Sequence, residues 1–269
     1  MTTTAFDLKL TSEITVRPIQ SVGGDHMVVA AAKVSTCGED AEKFSDPSQS
    51  EGNAGLINYL MKFRHGTPFE HASMTFFVHA PIMVWREWHR HRIGFSYNEE
   101  SARYKPLDPV FWIPRRDRRM VPVEGWKPGR PKFRTLDEAA RAMARMEDES
   151  LYPTGPLDFS NAWYDRVIAR KRRAYEAAYA AYREDIDDGI AMEVARSVLP
   201  VGIYSSCWVT TNPRALMAFL SLRTHEPDAT FVSYPQAEIE EAARVCEQFL
   251  KAGWPLTHDA FVKNGRVGP

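Results

Sequence analysis

Residues 85–104 read Trp-Arg-Glu-Trp-His-Arg-His-Arg-Ile-Gly-Phe-Ser-Tyr-Asn-Glu-Glu-Ser-Ala-Arg-Tyr, a density of cations, acceptors and rings that no other stretch of the chain matches. Pro81 lacks an N–H and presets φ, which suits the first turn of a helix expected from about Ile82 to Arg92. Ile82, Trp85, Trp88 and His89 follow 3/4 spacing and are assigned to the core. Arg86 and Arg90 stack along a second side, so this helix is expected to end in a guanidinium-rich tip, Arg90, His91 and Arg92, built to hold anions. Beyond Gly94, residues 96–104 read as extended, where residues two apart share a face. Glu99, Ser101 and Arg103 then point one way: an acceptor, a hydroxyl and a planar bidentate donor, suited to a ligand bearing a phosphate or an imide. By residue type alone, a solvated strand carrying an ion pair reads equally well.

The triplet Arg90-His91-Arg92, followed by Ser96-Tyr97-Asn98-Glu99-Glu100-Ser101-Ala102-Arg103-Tyr104, resembles the signature of the flavin-dependent thymidylate synthases: an RHR triplet, a short spacer, then S-x-N-x-x-S-x-R-Y. Ile93 to Glu100 are eight residues where the commonest family spacing has seven, and the extra residue falls in the Ile93-Gly94-Phe95 turn. Two further segments are similar to family motifs. His65-Gly-Thr-Pro-Phe-Glu-His71 resembles the second motif, and Asn212-Pro-Arg-Ala-Leu-Met-Ala-Phe-Leu-Ser-Leu-Arg223 resembles N-x-R-S-L-x-x-F-L-x-L-R, with Pro213 and Ala218 as departures. The resemblance implies a flavin (FAD) held by His65, Thr67, Arg90, His91, Arg92, Glu99, Asn212 and Arg214. It implies a uracil nucleotide held by Glu87, Arg90, Glu99, Ser101, Arg103, Arg196 and Arg223, with Arg223 acting on the ring. It further implies 5,10-methylenetetrahydrofolate and NADPH as co-substrates, and a homotetramer whose sites draw on several subunits.

Without the resemblance, several of these residues have plainer readings. His65 would be a capping or core histidine, and Arg223 a cation ending a helix where the dipole favours one. Arg196, in Val-Ala-Arg-Ser-Val-Leu-Pro, is expected to be paired with an anion, because arginine amid apolar neighbours is seldom buried alone. His65, His71, His79, His89 and His91 have poor metal-ligand spacing, no partner cysteine and no H-E-x-x-H, so no metal site is expected. Cys207 and Cys246 lie in apolar segments and do not read as activated nucleophiles, whereas Cys37 lies in a polar loop. No G-x-G-x-x-G or G-K-[ST] loop is present, which argues against a Rossmann-type flavin site.

The elements that must position these groups read as one α+β domain, a mixed, largely antiparallel sheet of about five strands packed with long helices. Strands are expected near residues 13–19, 74–79, 110–113 and 203–210. Helices are expected over 25–33 with Asp25 as N-cap, 54–63, 135–149 from the capping box Thr135-Leu-Asp-Glu138, 160–187, 191–198, 213–223 and 236–251. In the long 160–187 helix Trp163, Val167, Ala174, Ala178 and Ala181 mark the apolar stripe, with Tyr175, Tyr179 and Tyr182 as packing or subunit-contact residues rather than a stacking platform. Residues 105–134 contain six prolines and six arginines and read as a loop or flap within an insertion at about 105–159.

With 269 residues and 44% hydrophobic content, the chain can bury one sizeable core or two small ones. A net charge of −1 argues against a global field for nucleic acid. Three scattered cysteines fit a reducing cytoplasm, the first residues do not read as a signal peptide, and no stretch approaches the roughly 18 apolar residues of a membrane span. Two rival readings stay open. A C5-methylase acting on UMP would keep every motif. A non-catalytic nucleotide or RNA binder would be colourless and steeply salt-dependent.

Overall fold

The computed structural model describes residues 7–50, 52–127, 129–146 and 155–269. Its strands are β1 (Lys9–Thr11), β2 (Thr15–Val22), β3 (Ser73–Pro81), β4 (Phe95–Glu99), β5 (Val110–Trp112), β6 (Val121–Pro122), β7 (Phe133–Arg134) and β8 (Tyr204–Thr211). The helices are α1 (Asp25–Cys37), α2 (Ala54–Lys62), α3 (Ile82–Trp88), α4 (Leu136–Met146), α5 (Pro156–Asp187), α6 (Met192–Ala195), α7 (Pro213–Arg223), α8 (Ala237–Gly253) and α9 (Pro255–Lys263). The chain divides into two units, Ile14–Glu100 with Ser205–Pro269, and Met1–Glu13 with Ser101–Tyr204.

The first of these is built on a four-stranded sheet of order β2-β3-β8-β4. β2 pairs antiparallel with β3 and β4 antiparallel with β8. Met74, Phe76, Val78 and Ala80 alternate along β3 and are all buried, the period-2 pattern of a core-facing strand. Pro18 sits where the β2 register shifts, on an edge strand, as a residue without an N–H must. α7 and α8 bury Leu216, Phe219 and Leu220, and Ile239, Ala243, Cys246 and Leu250, at helical spacing. Trp85 stacks on Trp88, and Trp88 on Phe219, with centroids 5.4 and 4.9 Å apart. The Trp85 indole N–H donates to the carbonyls of Ala80 and Ser205, tying α3 to the end of β3 and the start of β8.

Asp25 does not cap its own helix. Gly24 is the N-cap of α1, while the buried Asp25 carboxylate accepts from the Leu256 and Thr257 N–H groups and the Thr257 hydroxyl, so it caps α9. Burial raises its pKa, and those hydrogen bonds work against the rise.

In the other unit β1 and β5 pair in parallel and β6 and β7 form a small antiparallel ribbon. α5 spans 32 residues, about 48 Å at the α-helical rise. Its buried side chains are Ser160, Tyr175, Tyr179 and Tyr182; Ala174 is exposed and Ala178 and Ala181 only half-buried, so the tyrosines form the packing stripe. Their hydroxyls meet the Pro-rich segment: Tyr164 donates to the Pro114 carbonyl, Tyr175 to Trp112, Tyr179 to Leu107, and Tyr182 accepts from the Leu107 N–H. These bonds order a backbone whose prolines at 106, 109 and 114 contribute no donors. The capping box forms as expected, Thr135 and Glu138 exchanging hydrogen bonds at the start of α4; the expected stretch of that helix beyond Met146 falls outside the described residues. Arg116 donates to Asp137, Ser160 and Asn161, and Arg119 to Glu138, so acceptors on α4 and α5 occupy these cations.

Candidate active site

α3 is shorter than expected. It ends at Trp88, and Arg90, His91 and Arg92 lie in the turn that follows rather than on a helical tip. A tertiary contact ends it: the Tyr97 hydroxyl, from β4, reaches the His91 and Trp88 carbonyls at 2.6 and 3.2 Å. Gly94 closes the turn with φ 71°, and a Cβ there would lie 2.7 Å from the Ala215 Cβ and 3.0 Å from the Asn212 Nδ2. Only glycine lets this turn lie against the N-terminus of α7. Asn212 is the N-cap of that helix, accepting from the Ala215 N–H at 2.8 Å, with Pro213 at the first helical position.

At the other end of α7 stands Arg223, whose side chain is 14% exposed. Its Nη1 donates to the Glu87 carboxylate at 2.6 Å, its Nη2 to the Glu87 carbonyl at 2.9 Å, and its Nε to His91 Nε2 at 3.0 Å. A guanidinium carries five N–H donors, so with three engaged, two remain to face a ligand. Because His91 accepts from a cation at Nε2, its ring is neutral. Burial, then Arg223, hold its pKa far below the ordinary 6.5, at about 4, against an opposing pull from Glu87. Phe219 closes the far side of the ring, edge-on at 4.9 Å.

Arg90 and Arg92 are exposed, and among the described residues neither guanidinium has a hydrogen-bond or ion-pair partner. Glu99 ends β4, paired with Cys207 and half-buried. His65 and Thr67 flank Gly66 at the start of a 3-10 turn, Thr67–Glu70, both exposed, with the His65 ring stacked on Tyr59 at 5.9 Å. Arg214 lies across this turn: a Cβ on Gly66 would come within 2.4 Å of its Cζ. Its Nη1 donates to Glu70 at 2.5 Å and its Nε to the Pro269 carbonyl at 2.8 Å. The structure therefore gathers His65, Thr67 and Arg214, with Glu70 added, and separately gathers Glu87, His91 and Arg223. Beside His71 a cavity of about 610 Å³ opens, lined by Met27, Ala30, Ala31 and Val34. The exposed imidazole and hydroxyl of His65 and Thr67 and the unpaired guanidinium groups of Arg90 and Arg92 are of the donor types that a flavin dinucleotide's carbonyls and diphosphate require.

The remaining expected ligand residues belong to the other unit. The extended reading fails after Glu99: Ser101 begins a turn, its carbonyl accepting from the Tyr104 N–H and its hydroxyl from the Arg103 N–H. Strand alternation therefore does not put Glu99, Ser101 and Arg103 on one face. A serine at a turn start satisfies the backbone with its own oxygen, which a strand would leave idle. Arg103 Nε donates to Glu193 of α6 at 2.8 Å, both side chains half exposed. Arg196 follows Ala195 into a 3-10 turn and is exposed, without a side-chain partner among the described residues. Its apolar neighbours Val194 and Val198 are themselves exposed, so the side chain does not need a protein anion to offset burial.

Cys207 is 1% exposed with its thiol pushed up to about 12 by burial, and Cys246 is fully buried and raised by the same cause. Neither supplies a thiolate. Among the described residues no cluster of metal-ligating side chains occurs, and no helix is long and apolar enough to cross a membrane. Sequence reasoning passed over Tyr97 and Glu70. Both stand inside the quoted motifs: the Tyr97 phenol holds the Trp88 and His91 carbonyls and the Glu70 carboxylate holds Arg214.

The thymidylate synthase complementing protein family matches residues 19–256. The flavin-dependent thymidylate synthase of Streptomyces coelicolor is 45% identical over 264 residues, 97% of this chain and 96% of that protein. The enzyme of the same name from Tropheryma whipplei is 43% identical over 258 residues, 96% of each. Among solved structures, the UMP/dUMP methylase PolB from Streptomyces cacaoi bound with 5-Br dUMP superposes with a TM-score of 0.79 at 42% identity, covering 97% of this chain and 100% of that one. The 5-Br UMP complex gives 0.78 at the same identity, covering 98% and 100%. Matched nearly end to end by proteins with these names, the chain belongs to the thymidylate synthase complementing protein family, the flavin-dependent thymidylate synthases.

Proposed function

We propose that this chain methylates dUMP at C5, forming dTMP with 5,10-methylenetetrahydrofolate as carbon donor and NADPH as the source of reducing equivalents, passed through FAD. The observation that carries the reading is Arg223, a largely buried cation braced by Glu87 and a neutral His91, with two donors left over. For uracil C5 to attack the donor carbon it must be enolate-like, with negative charge shared by the pyrimidine N3 and carbonyl oxygens. A guanidinium already oriented there stabilises that charge without reorganising. Neutral His91 adds no competing positive charge, so the fork's pull is directed at the ring.

Arg90, Arg103 and Arg196 are assigned to the phosphate, with Ser101 and Glu99 completing the nucleotide pocket. The Arg103–Glu193 pair is half exposed, and such pairs contribute only about 0–1 kcal/mol, so a phosphate dianion replaces Glu193 at little cost. His65, Thr67, Arg90, His91, Arg92, Glu99, Asn212 and Arg214 are assigned to the flavin, which when bound supplies the hydride that completes the methyl group. Arg90 and Glu99 thus border both ligands. Both units are taken as one catalytic domain carrying the 105–159 insertion, active in a reducing cytoplasm as a homotetramer with shared sites.

PolB complexes with both 5-Br UMP and 5-Br dUMP favour a second reading, C5 methylation of UMP. Tritium release from 5-tritiated dUMP and UMP, measured side by side on the purified yellow protein, tests both. Faster release from dUMP is expected; release from UMP alone transfers the function to the ribonucleotide, and colourless, inactive protein removes the reading.

A further inference from the structure

The segment 264–269 folds back on α7 through a pair of left-handed residues, Gly265 at φ 69° and Arg266 at φ 57°. A non-glycine residue in that region is strained and persists only where its surroundings impose it. A Cβ on Gly265 would lie 2.0 Å from the Thr230 hydroxyl oxygen, so glycine is required there. Arg266 is 9% exposed, its guanidinium lying over the Phe261 ring at 5.1 Å. Its Nη1 donates to Glu247 of α8 at 2.7 Å and its Nη2 to the Thr224 hydroxyl at 3.0 Å, while its carbonyl accepts from the Ser221 hydroxyl at 2.6 Å. Glu247 also meets His258 of α9 at 3.1 Å. Although burial raises the Glu247 carboxyl, the His258 and Arg266 hydrogen bonds prevail and bring it to about 2, so the pair is ionised.

Ser221 and Thr224 bracket Arg223. Thr224 is the C-cap of α7, and its hydroxyl also donates to the Leu220 carbonyl at 2.7 Å. One side chain thus grips the helix immediately after Arg223 through Thr224, and its own backbone grips it two residues before, while its other arm is anchored to α8. A buried ion pair contributes little net stability against its desolvation, so stability alone does not explain a strained, buried arginine here. A forked, rigid donor joining two helices does fix their register.

We propose that Arg266 is a positioning residue, which through Thr224 and Ser221 sets the rotation and axial placement of the last turn of α7 and so aims the Arg223 guanidinium. The inference rests on the reading of Arg223 as the group that stabilises the pyrimidine, and goes beyond it by placing the control of that group in a segment outside every motif.

The test compares wild type with Arg266→Met, Arg266→Lys and Thr224→Val. Flavin content, thermal midpoint, and kcat and KM for tritium release from 5-tritiated dUMP are measured at 25 °C. Arg266→Met is expected to lose about tenfold in kcat, the scale of a sub-ångström misplacement of a catalytic group, with flavin content unchanged. Arg266→Lys keeps a charge against Glu247 but not the fork; it is expected to recover the thermal midpoint and not kcat. Thr224→Val, which retains the Arg266–Glu247 pair, is expected to share the loss in kcat. Wild-type kcat in Thr224→Val, or recovery of both properties by Arg266→Lys, overturns the proposal, and these two variants decide it if Arg266→Met does not fold. An inactive wild type instead removes the proposed function and this inference with it, an outcome distinct from loss of the clamp alone.

Discussion

Arg223 is held by three bonds of different kinds, and each constrains the others. The Glu87 carboxylate and carbonyl fix the plane of the guanidinium, and the His91 ring nitrogen fixes its edge. Lysine keeps the charge but presents a single ammonium that cannot span all three acceptors and still reach an imide. Arg223→Lys is therefore expected to lower kcat by about 10²–10³-fold, the scale of losing one preorganised donor, while flavin stays bound; tritium release and the flavin absorption band measure the two separately. His91 makes the arrangement pH-sensitive. Its folded value of about 4 lies below the ordinary 6.5, so between these pH values the unfolded chain takes up the proton and the folded chain does not. The stability linked to His91 is thus complete above pH 6.5 and lost as pH falls toward 4. His91→Gln retains an acceptor without titrating, so its thermal midpoint is expected to fall less than that of wild type between pH 7 and 4.5.

Among the elements, α7 was the most legible in sequence because its signals are local. Asn212 caps it, Pro213 begins it, and Leu216, Phe219 and Leu220 set its buried side. α3 and the strand after it were misjudged at their ends, where distant groups decide. Tyr97 captures the Trp88 and His91 carbonyls, and the Ser101 hydroxyl starts a turn where alternation suggested a strand. α9 was missed because its cap comes from Asp25, 231 residues from the Leu256 N–H it accepts. The alanine stripe of α5 yielded to its tyrosines because phenols both fill the core and hydrogen-bond the Pro-rich backbone. Gly94 shows how closely the turn and α7 meet: Gly94→Ala forces a side chain into φ 71° and against the Ala215 Cβ. A loss of about 1–3 kcal/mol in stability is expected from the strain alone, measured by denaturant unfolding, together with weakened flavin retention on gel filtration.

At the scale of the whole molecule, the family was legible because its motifs are runs of residue types in fixed order. The geometry within each unit was not, because pairings such as Arg103 with Glu193 and Arg214 with Glu70 join residues 90 and 144 positions apart. The chemistry asks for no protein nucleophile: Cys207 and Cys246 are sealed in the core as thiols, and Cys37 lies at the end of α1, beside the Thr36 hydroxyl at 3.5 Å. On the proposed reading, the cationic fork of Arg223 stabilises the ring in place of a thiolate adduct. The most direct test is tritium release from 5-tritiated dUMP, with methylenetetrahydrofolate and NADPH supplied, by a variant carrying Cys37→Ser, Cys207→Ala and Cys246→Ala. Release within about threefold of wild type, below the roughly tenfold cost of 1.4 kcal/mol of lost transition-state stabilisation, is the predicted result. Abolished release from a folded, yellow, cysteine-free protein would contradict the account.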